Sequence, residues 1–285
     1  MEKYDLESFP LLAQGGEADI YDIGTGKILR VLRNRNGNRF ETEKLLFPIL
    51  EEYHINVPIV YEYIETEDFV AQVMQKIDGN TMLQQLTHHP LIMAKETRRL
   101  AAMHAKLLRI HSNGKLHSIT DVFQYYASQP PLIDEKLIDF ASKQMKELPI
   151  NDYLCHGDFH PGNILIQDDI RYIIDWSGAY QSDFISDIAH TYLLMTHVPK
   201  VPGQSTLLHT IIGCSGSHIA KVYLKEIFKL KKIDPGVFSK WTVVMAFLRV
   251  YYGNPSERSA RISYLNKCHE LSEKGIDPAT WYKLL

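Results

Sequence analysis

The first third of the chain alternates apolar and polar positions with the period of β-strands. Residues 18–23 and 27–33 form two such runs, and residues 24–26, Gly-Thr-Gly, lie between them. A short glycine-rich connection between alternating runs predicts a β-hairpin. Residues 59–65 and 68–77 repeat the pattern, so we expect a second antiparallel pair there.

A helix is predicted between these two pairs of strands. Residues 38–54 place Phe40, Leu46 and Leu50 at helical spacing. Pro48 lies inside this stretch, and proline removes one helical hydrogen bond and clashes with the preceding turn. We therefore expect a kink or a late restart of the helix at Pro48.

The rest of the chain has mainly helical periodicity. Residues 90–111 carry apolar side chains along one face, as do residues 132–148 and the region from about residue 205. Strands first and helices later predict an α+β protein of two lobes. The predicted lobes are a small antiparallel-sheet lobe, residues 1–76, and a larger helical lobe, residues 77–285.

The composition is that of an ordinary globular protein. It is 45% hydrophobic and 23% charged, with a formal net charge of −3, so neither nucleic acid nor a membrane is expected as a partner. The N-terminal residues lack the pattern of a secretory signal, which favours a cytoplasmic protein. Three widely spaced cysteines indicate neither a disulfide framework nor a zinc cluster.

The candidate chemistry is concentrated in residues 156–175. HGDFHPGNIL at 156–165 is followed by apolar runs on both sides of Asp168-Asp169, which predicts a tight hairpin. That turn would pair Asn163 with Ile174, so that Asp175 lies beside Asn163. An amide and a carboxylate side by side are oxygen ligands suited to Mg²⁺.

The spacing of Asp158, Asn163 and Asp175 matches the phosphoryl-transfer pattern. HGDFHPGNIL followed by IIDW resembles the signature of the aminoglycoside phosphotransferase and choline kinase superfamily, bacterial small-molecule phosphotransferases with a two-lobed protein-kinase-like fold. The resemblance implies that Asp158 is the catalytic base and that Asn163 and Asp175 are the metal ligands. It also implies ATP or GTP and Mg²⁺ as cofactors, and a small-molecule hydroxyl as substrate.

The resemblance extends to the N-terminal lobe, where it implies a nucleotide site. Gly15-Gly16 in QGGEADIY matches the family's short nucleotide loop. In KILRVLR, Arg30 stands where kinases carry the phosphate-contacting lysine, and an arginine can bind phosphate through two donors. Glu43 is the expected partner of Arg30, and Glu41 is the competitor.

The same resemblance places the nucleotide base against the backbone near Val73 and Gln75.

Three other residues are expected to be structural: His104 in a helix core, Asp187 as a support of the motif loop, and Trp176 in packing.

Two alternative functions remain open at this point. If residues 156–160 formed a strand, His156, Asp158 and His160 would share one face, as zinc ligands of a metallohydrolase do. Alternatively, the chain could be a kinase-like protein that binds nucleotide and is catalytically silent, with Arg30 in place of lysine as the feature that favours it.

The sequence restricts the identity of the substrate only through the charge of the region expected to bind it. Residues 201–285 contain twelve Lys and Arg against six Asp and Glu. Because this helical region is expected to shape the acceptor pocket, strongly cationic antibiotics are not expected to be the preferred substrates. Sugars, amino alcohols and other antibiotic-like molecules stay open, and the oligomeric state is not indicated.

Overall fold

The computed structural model describes residues 5–15, 18–34, 39–196 and 206–284. The chain forms two compact units, Met1–Gln85 with Gly162–Ser177, and Leu86–Pro161 with Gly178–Leu285. The Gly162–Ser177 segment is grouped with the N-terminal residues because its first strand pairs with residues 80–81, a long-range contact that linear patterns do not reveal. The lobe boundary placed between residues 76 and 77 stays a prediction. Elements are numbered below in chain order.

The first unit is built on a five-stranded antiparallel sheet. Its strands are β1 (Leu11–Gln14), β2 (Ala18–Gly24), β3 (Lys27–Leu32), β4 (Val60–Glu65) and β5 (Val70–Gln75), in the order β1-β2-β3-β5-β4. Both predicted strand pairs are confirmed. The β2–β3 turn has positive φ at Gly24, Thr25 and Gly26, which explains why two of its three residues are glycine.

Side-chain alternation gives the sheet two different faces. Leu29, Val31, Ala71 and Val73 form a buried cluster on one face. Arg30 falls between Leu29 and Val31, so its side chain projects from the opposite face. Strand periodicity thus places Arg30 on the face opposite the apolar cluster.

Helix α1 (Arg39–Glu52) follows β3 and contains Pro48 without interruption. The helix therefore does not restart at Pro48, and the kink that was the other expectation stays a prediction. Phe40, Leu46 and Leu50 are all buried, and their packing holds the helix although proline offers no N–H to the turn before it.

A three-stranded sheet completes the first unit. It consists of β6 (Asn80–Thr81), β8 (Ile164–Gln167) and β9 (Ile170–Ile173), in the order β6-β8-β9. The predicted hairpin register is confirmed, since Gln167 pairs with Ile170 and Leu165 with Tyr172. Gly79 leads into β6 so close to β8 that a Cβ there would lie 1.9 Å from the carbonyl oxygen of Ile166.

The second unit is mainly helical, and its described residues include one short pair of strands. The helices are α2 (Met82–His88, across the unit boundary), α3 (Met93–Leu107), α4 (Ile119–Ala127), α5 (Glu135–Lys146), α6 (Phe184–Thr196), α7 (Thr206–Leu230), α8 (Pro235–Tyr252), α9 (Arg258–Glu273) and α10 (Pro278–Leu284). The strands β7 (Tyr153–Cys155) and β10 (Tyr180–Ser182) pair antiparallel.

Helix α8 is the centre of this unit and packs against α5, α6, α9 and α10. It is apolar nearly all round, as expected of a helix covered on every side. Asp234 caps its first turn by accepting hydrogen bonds from the backbone N–H groups of Gly236 and Val237. Among the described residues, no helix is both long and apolar enough to cross a membrane.

Candidate active site

A cavity of about 520 Å³ lies within the first unit, a size typical of small-molecule sites. Its walls come from β1, β2, β3, α1, the chain after β5, and the β8–β9 hairpin. The lining residues include Gly15, Arg30, Glu43, Met74, Gln75, Lys76, Ile77 and Asp175.

Arg30 is held in this cavity by a buried polar network. Its Nη1 donates to Glu43 Oε1 at 2.7 Å and to Gln72 Oε1 at 3.3 Å. Gln72 Nε2 in turn donates to Glu43 Oε2 at 2.8 Å. The network fixes the guanidinium between a strand and a helix, so its charge is oriented before any ligand arrives.

The expected partner of Arg30 is present, and the competitor is engaged elsewhere. Glu43 has 1% of its side chain exposed, whereas Glu41 has 55% exposed and pairs with Lys44 at 2.6 Å. Gln72 was missed by sequence reasoning, because a single glutamine in an apolar strand carries no signal until β5 is seen to lie beside β3.

The glycine loop is described only in part. Gly15 borders the cavity, and its N–H donates to the carbonyl of Ala18 at 2.9 Å. Gly16, the second predicted glycine, lies outside the described residues.

The two positions predicted to contact the base differ in location. Val73 belongs to the buried cluster on the other face of the sheet, while the side chain of Gln75 lines the cavity. Strand β5 lies between β3 and β4, so the backbone of Val73 is inside the sheet. The chain that borders the cavity is Met74 to Ile77, where the strand ends.

Asn163 and Asp175 are brought together as the hairpin register requires. The N–H of Ile174 donates to the carbonyl of Asn163 at 3.0 Å, and Asp175 follows directly. Asp175 has φ of 62°, a left-handed conformation that is uncommon for residues other than glycine. Ser177 Oγ donates to its Oδ1 at 2.8 Å, and Trp176 is buried beside it, as predicted.

The residues present fit a magnesium ion. Asn163 and Asp175 offer amide and carboxylate oxygens, the hard donors that Mg²⁺ prefers, and Asp175 borders the cavity that contains Arg30. A carboxylate held in a strained backbone conformation is also the kind of feature that concentrates at functional sites.

Asp158 lies in the second unit, in a loop fixed by Asp187. The carboxylate of Asp187 accepts hydrogen bonds from the N–H of His156 at 2.7 Å and of Gly157 at 3.0 Å. Gly157 has φ of 79°, and a Cβ there would lie 2.0 Å from the carbonyl oxygen of Gly178. Glycine is therefore required immediately before Asp158.

The Asp158 carboxylate is partly open, with 32% of its side chain exposed. Its Oδ2 lies 3.4 Å from His160 Nε2, and its N–H donates to His156 Nδ1 at 3.2 Å. Burial raises the pKa of Asp158, but the hydrogen bond from His160 and the nearby histidines outweigh it, so the pKa lies well below the usual value. The group is an anion at neutral pH.

His104 and Asp187 form the expected structural support. His104 Nε2 lies 3.0 Å from Asp187 Oδ2, and its Nδ1 lies 2.6 Å from the hydroxyl of Tyr223. Both side chains are fully buried. The pair links α3 to α6, and Asp187 also binds the loop that carries Asp158.

The geometry required by the zinc alternative is absent. Residues 156–160 form no strand, and Gly157 turns the chain, so the two histidines do not share a strand face with Asp158. In the part of the chain that the structure describes, no three His, Cys, Asp or Glu side chains are grouped to hold a metal ion.

Comparison with known proteins decides between the remaining readings. Residues 8–205 match the family described as the phosphotransferase enzyme family. The chain belongs to this family. It is a small-molecule phosphotransferase with a hydroxyl acceptor, so the resemblance drawn from HGDFHPGNIL and IIDW and the predicted enzyme class are confirmed.

Solved structures show the same fold at low identity. A choline/ethanolamine kinase family protein from Mesorhizobium loti is 15% identical, with a TM-score of 0.64 over 96% of this chain and 92% of that one. An amicoumacin kinase, hAmiN, is 16% identical, with a TM-score of 0.61 over 99% and 93%. A type VIII aminoglycoside-3′-phosphotransferase is 17% identical, with a TM-score of 0.58 over 84% and 93%. These similarities confirm the predicted kinase-like α+β fold. The search of curated proteins returned no match.

Proposed function

We propose that the enzyme transfers the γ-phosphate of ATP or GTP to a hydroxyl of a small molecule in a Mg²⁺-dependent reaction. One observation carries the proposal: Arg30, oriented by Glu43 and Gln72, borders the same cavity as Asp175. A fixed cation and a metal-ligating carboxylate in one cavity of about 520 Å³ suit a nucleoside triphosphate.

Arg30 neutralises phosphate charge in this proposal. A guanidinium is always protonated and presents planar donors that match phosphate oxygens. Because Glu43 and Gln72 already orient it, little conformational entropy is lost when the nucleotide binds. The chain from Met74 to Ile77 is the best placed segment for backbone contact with the base.

Asn163 and Asp175 hold the metal ion. When bound, Mg²⁺ neutralises charge on the transferring phosphate. The chain contributes a rigid hairpin that keeps the two oxygen donors in register.

Asp158 orients the acceptor hydroxyl and takes its proton. A carboxylate with a depressed pKa is a weak base, which suits phosphoryl transfer because the hydroxyl proton is lost late and positioning contributes most. Asp187, through the N–H groups of His156 and Gly157, keeps the loop in place.

Nucleotide use is supported by neighbours with this fold. The amicoumacin kinase structure is a complex with AMP-PNP, and an aminoglycoside phosphotransferase structure is a complex with GDP and kanamycin. These ligands belong to those proteins, and we extend only the use of a purine nucleotide to this chain.

Three aspartate variants test the proposed roles. Asp158→Asn should reduce nucleotide-dependent phosphorylation by at least about a thousandfold and leave Mg²⁺–nucleotide binding intact. Asp175→Asn should lose both turnover and the Mg²⁺-dependent part of nucleotide binding. Asp168→Asn, in the exposed turn of the same hairpin, is the control and should behave as wild type.

The measurements are ADP or GDP release with an acceptor, and the thermal shift caused by nucleotide with and without Mg²⁺. Wild-type turnover by Asp158→Asn would contradict its assigned role. An unchanged Mg²⁺-dependent shift in Asp175→Asn would contradict the metal assignment.

A further inference from the structure

The second unit contains a large cavity that the proposed function does not use, called the α7 cavity below. Its volume is about 980 Å³, at the upper end of the range of small-molecule sites. Its walls come from α6, α7, α9 and α10, so all its lining residues belong to the second unit. They include Tyr192, Ser217, Lys221, Lys225, Phe228 and Tyr282.

The α7 cavity borders the face of α6 that is turned away from the catalytic loop. Asp187 on α6 holds the loop of Asp158 through two backbone N–H groups. Tyr192 and Thr196, five and nine residues later, line the α7 cavity, and they lie about 140° and 180° round the helix from Asp187. The α7 cavity also shares no lining residue with the cavity of Arg30.

Positive charge is concentrated along one edge of the α7 cavity. Four exposed lysines line it, Lys221, Lys225 and Lys229 on α7 and Lys283 on α10. The three on α7 are spaced four residues apart, so they form a row with steps of about 6 Å. Lys229 pairs with Glu226 at 3.2 Å, but none of the described lining residues is Asp or Glu. The lining is therefore net positive, in a protein whose formal net charge is −3.

The more buried walls of the α7 cavity are mainly aromatic. Tyr192 and Tyr264 are only 8% and 5% exposed. The rings of Phe228 and Tyr282 have centroids 5.9 Å apart, which joins α7 to α10. Aromatic walls beside a row of cations match a ligand that combines an aromatic body with an acidic group.

We propose that the α7 cavity binds a small aromatic anion, a ring system that carries a carboxylate, sulfonate or phosphate group. The acidic group contacts the ammonium groups of Lys221 and Lys225, and the rings contact Phe228 and Tyr282. Four lysines oppose a cationic ligand, and a neutral ring forgoes the attraction of the lysine row. This inference goes beyond the proposed phosphotransfer and does not depend on it.

Two fluorescent probes with the same ring skeleton test the inference on the full-length protein. Anilinonaphthalene sulfonate carries one negative charge, and phenylnaphthylamine is its uncharged parent. We expect the anionic probe to bind and its affinity to fall as NaCl is added, because ion pairs of exposed lysines are screened. Naphthoate should displace the bound probe, and naphthalenemethanol at the same concentration should displace less of it.

Lysine variants connect the charge dependence to the α7 cavity. Lys221→Gln combined with Lys225→Gln should weaken binding of the anionic probe about fivefold and leave the neutral probe unchanged. Lys143→Gln combined with Lys146→Gln removes two exposed lysines from α5, outside the cavity, and should leave both probes unchanged.

A blocking variant tests the location independently of charge. Ser217 lines the α7 cavity one helical turn before Lys221. Ser217→Trp places a bulky ring there and should weaken both probes at least about fivefold. Thermal unfolding without probe shows which variants are folded as the wild type is.

Equal affinity of the anionic probe in wild type and in the Lys221, Lys225 double variant would overturn the inference. So would an equal loss in the Lys143, Lys146 control, because the attraction would then be that of the whole surface. Unchanged binding of the anionic probe in a folded Ser217→Trp variant would also overturn it, because the probe would then lie elsewhere.

Discussion

At the scale of single residues, Glu41 and Glu43 differ in environment although they lie two positions apart on α1. Glu43 is buried against Arg30 and Gln72, whereas Glu41 faces solvent beside Lys44. Exposed ion pairs contribute little to stability, while removing one partner of a buried pair leaves the other uncompensated.

Glu43→Gln should therefore lower the free energy of unfolding by about 2 kcal/mol and raise KM for the nucleotide about tenfold, since Arg30 loses its charged anchor. Glu41→Gln is the matched control and should change stability by less than about 0.5 kcal/mol. Denaturant unfolding and nucleotide titration measure both quantities. Equal effects of the two substitutions would contradict the network.

At the scale of elements, the turn of the β8–β9 hairpin contains backbone strain that substitutions can relieve. Its two turn residues, Asp168 and Asp169, have φ of 49° and 62°, the conformation of a type I′ turn, which favours Asn-Gly. The double substitution Asp168→Asn, Asp169→Gly should stabilise the protein by about 0.5–1 kcal/mol.

The turn between β4 and β5 offers a control for this element. Glu67 and Asp68 do not have positive φ, so the same Asn-Gly replacement there should give no gain. Thermal unfolding compares the two double variants. A larger gain at residues 67–68 would rule out relief of turn strain as the explanation.

Elements set by local signals could be predicted from the sequence, and those set by long-range packing could not. The β2–β3 and β8–β9 hairpins were predicted because alternation and turn residues lie within a few positions of each other. Strand β1 has only four residues, none of them buried, and its pattern alone does not distinguish it from a loop. Helix α6 is buried nearly all round, so it has no amphipathic period to detect.

The same distinction applies to the site. Asp158, Asn163 and Asp175 are close in sequence, so their spacing was informative. Gln72 joins Arg30 across 42 residues, and the two side chains meet only because β5 pairs with β3. A lone glutamine in an apolar strand gives no signal until its neighbours are known.

At the scale of the whole molecule, acid should destabilise the fold through buried groups. Burial and the charge of Arg249 lower the pKa of His190 from its ordinary 6.5 to about 3. Arg261 also lowers it, whereas Asp158 and Asp187 raise it without outweighing burial. In the unfolded chain this histidine takes up a proton below about pH 6.5. Its contribution is therefore present above that pH and lost as the pH falls toward 3.

The free energy of unfolding should thus decrease between pH 6.5 and 4, by up to about 1.4 kcal/mol per pH unit for one proton. His190→Phe should flatten this part of the curve, and His117→Phe, at an exposed histidine, should not. Denaturant unfolding at a series of pH values gives the slopes. Equal slopes in wild type and His190→Phe would show that His190 is not a buried neutral group.

The central claim is that this chain moves phosphate from a nucleotide to a hydroxyl through Asp158, with Asn163 and Asp175 holding Mg²⁺. The most direct measurement is transfer of ³²P from γ-labelled ATP to a panel of sugars, amino alcohols and aminoglycosides, with Mg²⁺ and with excess EDTA. The account predicts a labelled phosphoester that requires Mg²⁺ and is lost in Asp158→Asn and Asp175→Asn. Binding of Mg²⁺–ATP without label in any acceptor, or equal labelling by Asp158→Asn, would contradict it.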